Sequence, residues 1–255
     1  MNTLDFPCNQ TLTITGPAGA LEALTACPAR GGSAGAVFRP TAVILHPHPL
    51  HGGTMQNKVV HTLARAFNEL GVASVRFNFR GVGASAGSFA HGAGETEDAL
   101  AVIEWVRAQR PGAAVWLAGF SFGAYVALRT AQRANVAGLI TVAPAVHLYD
   151  FSTLNIPSCP WLLIQGEADE VVPVEAVRAW LSGIAAAPAT AMDGGSAENA
   201  GAVFPPHPCA PRHLGSCPAP RPQTLFLPGV GHFFHGRLND LKAALHDFVP
   251  PHLSR

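Results

Sequence analysis

From Thr41 onward, short apolar runs alternate with amphipathic stretches, and few folds accommodate that order. Ala42 to Leu45, Val72 to Phe79, Ala114 to Ala118, Val136 to Val142, Trp161 to Gln165 and Leu225 to Leu227 are too short for helices and read as buried strands. Between them lie helical patterns. Val59, Leu63, Ala66, Phe67 and Leu70 recur at helical spacing before Gly71, and Ala99, Val102, Ile103 and Val106 do so before Pro111-Gly112. Phe122 to Arg133 follows, then a pattern opened by Pro173 with Val177, Trp180, Leu181 and Ile184, and finally Leu238 to Phe248. Strand and helix in alternation predict an α/β fold built on a parallel sheet.

Composition supports one domain over residues 1–255. Hydrophobic residues make up 48% of the chain and charged residues 13%, enough for a large core. The 16 basic residues balance the 16 acidic ones, so no basic footprint for nucleic acid exists. The longest charge-free stretches, Pro40 to Asn57 and Pro111 to Leu128, are broken by Pro or Gly, and no membrane span is expected. Met1 to Asp5 shows neither a basic region nor an apolar one of the secretory kind, which points to a cytoplasmic protein. The five cysteines, an odd number scattered along the chain, read as free thiols.

The segment from Ala185 to Pro222 departs from this rhythm. It holds 8 of the 22 prolines and has neither helical nor strand period, so it reads as a loop insertion, on the surface or over the site. His207, Cys209, His213 and Cys217 within it match no standard zinc spacing, and no metal is expected there.

Two G-x-S-x-G patterns occur, around Ser85 and around Ser121. A nucleophile on such a turn needs a strand before it and a helix after it, so that its hydroxyl is exposed beside unspent N–H groups. Ser121 has both, between Val115-Trp116-Leu117-Ala118 and Ala124-Tyr125-Val126-Ala127. Ser85 is followed by Ser88 to Gly94, which reads as unable to begin a helix. Gly81-Val82-Gly83 lacks the helix a dinucleotide loop would need and reads as a turn.

A serine hydroxyl becomes nucleophilic when a histidine takes its proton and a carboxylate orients that histidine. The loop Gly166 to Pro173 offers Glu167, Asp169 and Glu170, of which Asp169 is best placed to turn back toward the site. After the last strand, His232 directly follows a glycine turn and is favoured over His235. The oxyanion would be held by the N–H of Phe122 and by a second from the loop His46 to Gly53. Its prolines donate nothing there, which leaves His48, Leu50 or a neighbour, with His48 preferred. The His46-x-His48-x-x-His51 run has Leu50 where a binuclear zinc site would place Asp, so these histidines read as loop structure. Asn57, Arg80 and His147, near strand ends, read as structural, with contact to substrate as the alternative.

Taken together, His46-Pro47-His48-Pro49, Gly52-Gly53-Thr54-Met55, Asn57-Lys58, Arg76 to Gly83, Gly119 to Ala124, Asp169 and Gly231-His232 resemble the α/β-hydrolase superfamily. More narrowly, they look like small bacterial hydrolases related to dienelactone hydrolase, with serine in place of that enzyme's cysteine. The resemblance implies a mostly parallel, roughly eight-stranded sheet with helices on both faces and no large cap domain. It implies a triad of Ser121, Asp169 and His232, with Phe122 at the oxyanion hole. The expected activity is cleavage of small carboxylic esters through an acyl-enzyme, which needs no cofactor. Amide or peptide cleavage on the same triad, and a non-catalytic binding role for the fold, are the alternatives. Oligomeric state has no signature in these residues.

Overall fold

A computed structural model of the chain describes residues 6–28, 40–186 and 221–253. The strands are β1 (Thr11–Gly16), β2 (Gly19–Ala26), β3 (Thr41–Leu45), β4 (Ala73–Phe77), β5 (Val115–Phe120), β6 (Gly138–Val142), β7 (Trp161–Gly166) and β8 (Gln223–Leu227). The helices are α1 (Lys58–Glu69), α2 (Ala93–Gln109), α3 (Phe122–Ala131), α4 (Val174–Ala186), α5 (Leu238–Phe248) and α6 (Pro250–Leu253). All eight strands form one sheet in the order β1-β2-β4-β3-β5-β6-β7-β8. β1 pairs with β2 and β2 with β4 antiparallel; every later pairing is parallel.

Strand alternation sorts the core into two layers. Val43, Val75, Phe77, Leu117, Leu139 and Leu163 face the apolar stripes of α2, α3 and α4. Ile44, Trp116, Ala118, Phe120, Ile140, Val142 and Ile164 face α1 and α5. The stripes read from the sequence are the ones that pack: Val102, Ile103 and Val106 of α2 on one side, and Val59, Leu63 and Phe67 of α1 on the other. Asn57 caps α1, its Oδ1 accepting from the N–H groups of Val59 and Val60 at 2.9 and 3.5 Å.

Three features depart from the sequence reading. The β1–β2 hairpin precedes the first strand expected. It also brings Cys8 and Cys27 together, with Cα atoms 5.3 Å apart, and they form a disulfide rather than two free thiols. The helix α2 begins at Ala93, inside the stretch read as unable to start one. The Glu95 carboxylate there reaches back to accept from the N–H groups of Ala90 and of the N-cap residue Gly92, which ties the preceding loop to the helix start. Cys159 remains a buried free thiol, pushed up to about 11 by its burial. The insertion and its His207, Cys209, His213 and Cys217 lie almost wholly outside the described residues, with α4 running on to Ala186. Among the described residues no helix is long and apolar enough to cross a membrane.

Candidate active site

Ser121 stands between the end of β5 and the start of α3. Its backbone, at φ 56° and ψ −115°, lies where few non-glycine residues are found, and its N–H donates to the Val142 carbonyl at 2.8 Å. This turn is possible because its neighbours carry no side chain. A Cβ on Gly119 would stand 2.2 Å from the Gly123 carbonyl oxygen, and one on Gly123 would stand 2.4 Å from that of Leu45. Gly123 thus lets the first turn of α3 close onto the end of β3. Ser85 is as buried as Ser121, but its hydroxyl is already engaged, donating to the Asn78 carbonyl at 2.7 Å and accepting from the Glu22 N–H at 2.9 Å. It ties β2 to the loop after β4.

His232 is delivered by the loop after β8, which is stitched to the loop after β7. The N–H groups of Glu167 and Ala168 donate to the carbonyls of Leu227 and Val230. Its ring Nδ1 lies 2.9 and 3.1 Å from the two carboxylate oxygens of Asp169, both residues being buried. The other partners of that carboxylate are donors: the N–H groups of Val171 and Val172, at 2.9 and 2.6 Å, and the side-chain amide of Gln165 at 3.1 Å. Asp169 is therefore an acceptor, and this contact selects the tautomer of the neutral ring that carries its proton on Nδ1. The His232 ring packs at 4.9 Å against Phe120, the residue before Ser121. Among the described residues Ser121 makes no side-chain hydrogen bond, and such contacts commonly tighten only with substrate in place.

The other polar candidates have structural partners. Glu170 accepts from the His232 N–H at 3.1 Å, and Glu167 pairs with Arg178. His235 stacks on Phe233 with its ring 6.0 Å away and does not meet Asp169. His46 donates from Nδ1 to the Pro47 carbonyl and accepts at Nε2 from the Phe79 N–H; burial pushes its ring down to about 4. In the loop after β3, the Leu50 N–H donates to His48 Nδ1, and those of His51, Gly52 and Gly53 donate within the loop. Among the described residues the N–H groups of His48 and Phe122 meet no acceptor. Arg80 is held on two oxygens of Asp98, so it is structural. Among the described residues no three His, Cys, Asp or Glu side chains gather as metal ligands.

Gln165 is a site residue that the sequence reading missed. Its amide also donates to the carbonyls of Gly166 and Val172, while its Oε1 is buried without a partner. An amide in a buried strand carries no periodic signal. Equally unmarked is the aromatic wall of Phe89, Phe122 and Tyr149, whose rings lie 5.2 to 5.6 Å apart beside His48. The described large apolar side chains left exposed, Leu50, Leu148, Val171 and Phe233, all stand on loops after β3, β6, β7 and β8, around the same edge of the sheet.

Known proteins are similar to this chain. A family described as serine aminopeptidase, S33, matches residues 41–157. An α/β serine hydrolase without lid from Xanthomonas campestris is 41% identical, with 96% of this chain and 95% of that one covered and a TM-score of 0.77. An α/β serine hydrolase homologue from Coxiella burnetii is 40% identical, covering 96% and 99%, with a TM-score of 0.76. An uncharacterized protein from Rickettsia prowazekii is 39% identical over 144 residues; the match spans 54% of this chain and 60% of that relative's length.

Proposed function

We propose that this chain, which belongs to the α/β serine hydrolases, cleaves carboxylic esters of small molecules through an acyl-enzyme on Ser121. The observation that carries the reading is the buried Asp169–His232 pair, packed through Phe120 against the strained turn that presents Ser121. His232 Nε2 takes the Ser121 proton as Oγ bonds to the acyl carbon. The carbonyl oxygen, now negative, receives the N–H groups of Phe122 and His48. Collapse of the tetrahedral intermediate expels the alcohol oxygen, which leaves with the proton from Nε2. Water, deprotonated by the same nitrogen, then releases the acid. Asp169 keeps the imidazole in the tautomer this cycle requires. No cofactor takes part.

Peptide cleavage is the reading that the aminopeptidase family description favours. Such an enzyme recognises a free α-amino group, for which a carboxylate is the natural partner. Among the described residues no carboxylate lines the cavity of Thr54, Lys58 and Phe233 beside the site, which favours esters. Comparing 4-nitrophenyl esters of short acids with aminoacyl 4-nitroanilides, on wild type and Ser121→Ala, tests this. Ester turnover that disappears in Ser121→Ala is expected. Turnover of the anilides alone would transfer the reading to peptides.

A further inference from the structure

On the α1 side of Ser121, the loops after β3 and β8 form a cleft of about 310 Å³, partly open to solvent and lined by Thr54, Gln56, Asn57, Lys58, Phe233 and His235 among others. It adjoins the candidate site, because the Phe233 ring lies 5.0 Å from His232 and 6.2 Å from Phe120. Charge around it is one-sided. Lys58 forms no ion pair among the described residues, and the first turn of α1 holds no acidic residue.

A second cation lies behind the wall. The alternation that turns Val75 and Phe77 toward α2 turns Arg76 the other way, toward α1. Arg76 is 6% exposed. Its Nη1 donates to the Met55 carbonyl at 2.8 Å and to Gln56 Oε1 at 3.4 Å, and Gln56 is itself a cavity residue. Among the described residues no carboxylate reaches this guanidinium. The contrast with Arg80, matched by both oxygens of Asp98, is direct. Arg76, buried without a counter-charge, leaves this corner short of one negative group, because buried charge is costly until paired, while Lys58 stands exposed at the cavity and open to a ligand.

Building on the ester reading, we propose that the cavity binds a carboxylate carried by the substrate, so that the ester cleaved is a half-ester with a free acid end seated against Lys58. One ammonium, with the Thr54 hydroxyl, the Gln56 and Asn57 amides and the His235 imidazole around it, suits a singly charged carboxylate. Arg76 acts from behind through Gln56, adding positive potential without touching the ligand.

The test compares kcat/KM for 4-nitrophenyl hemiglutarate and 4-nitrophenyl pentanoate, where a methyl replaces the carboxylate. Wild type is expected to prefer the hemiglutarate by about 10-fold, in line with a charge-assisted contact. The preference should shrink toward parity in Lys58→Met, persist in Lys58→Arg, and weaken with added salt. A wild type without preference, or a ratio unmoved by Lys58→Met, overturns the subsite. If neither ester turns over, the ester reading fails by itself. The subsite is then read by NMR titration with monomethyl glutarate: about 10-fold weaker binding to Lys58→Met sustains it, and equal binding refutes it.

Discussion

Asp169 engages the Nδ1 of His232 with both carboxylate oxygens, at 2.9 and 3.1 Å, although the two residues stand 63 positions apart on different loops. Asp169→Asn keeps the shape but offers an amide that can stabilise the opposite tautomer. We expect kcat to fall by about 10³- to 10⁴-fold with KM little changed, as measured by steady-state ester hydrolysis. Loss of less than 10-fold would remove Asp169 from the mechanism.

Gln165 holds Asp169 from beneath through its amide at 3.1 Å. Gln165→Leu removes that donor, and with it the unpartnered Oε1. The Asp169 carboxylate then loses one of the contacts that fix its angle to His232. A drop in kcat of roughly 10-fold is expected from the loosened geometry, with KM held. A variant with unchanged kcat would make Gln165 a packing residue alone.

Much of this site is legible in the amino-acid sequence. Ser121, Asp169 and His232 stand at strand ends, and the α2 stripe of Ala99, Val102, Ile103 and Val106 buries every residue its spacing indicates, while of the α4 stripe Val177 is buried and Trp180, Leu181 and Ile184 are half-buried. What escapes such a reading has physical causes. The β1–β2 hairpin carries its signal as a period of two, Thr11-Leu12-Thr13-Ile14-Thr15, with only Ile14 fully buried, unlike the continuous apolar runs that mark the later strands, and the Cys8–Cys27 pairing it creates is hidden with it. The start of α2 depends on Glu95 reaching back to Ala90 and Gly92, a contact that Gly-rich sequence conceals. Gln165 and Arg76 are polar residues in buried strands, where periodicity says nothing of their partners.

Gly123 is where the helix after Ser121 touches β3. In Gly123→Ala the new methyl would stand 2.4 Å from the Leu45 oxygen and 2.6 Å from that of His46, both backbone atoms that cannot swing aside. We expect destabilisation of roughly 2 to 3 kcal/mol in urea unfolding. Ester turnover should fall further than that alone explains, since α3 must move away from the His48 loop.

His46 supplies a pH dependence of stability. Its folded value of about 4 lies below the 6.5 of the free side chain, because burial disfavours the charged ring. The unfolded chain therefore binds more protons between these values. The stabilisation is complete above 6.5 and is lost as pH falls toward 4. From pH 7.5 to 5 His46 should account for a loss of about 2 kcal/mol. Urea unfolding of wild type and His46→Gln at both pH values checks this, the variant showing the smaller loss.

Ser121, not Ser85, should be the activated serine. A fluorophosphonate probe, which reacts with activated serines, followed by peptide mass mapping of wild type, Ser121→Ala and Ser85→Ala, tests this most directly. Labelling is predicted at Ser121, retained in Ser85→Ala and abolished in Ser121→Ala. Absence of label on the folded wild type at neutral pH, or label on Ser85, would contradict the proposed mechanism and bring a ligand-binding role for the fold to the front.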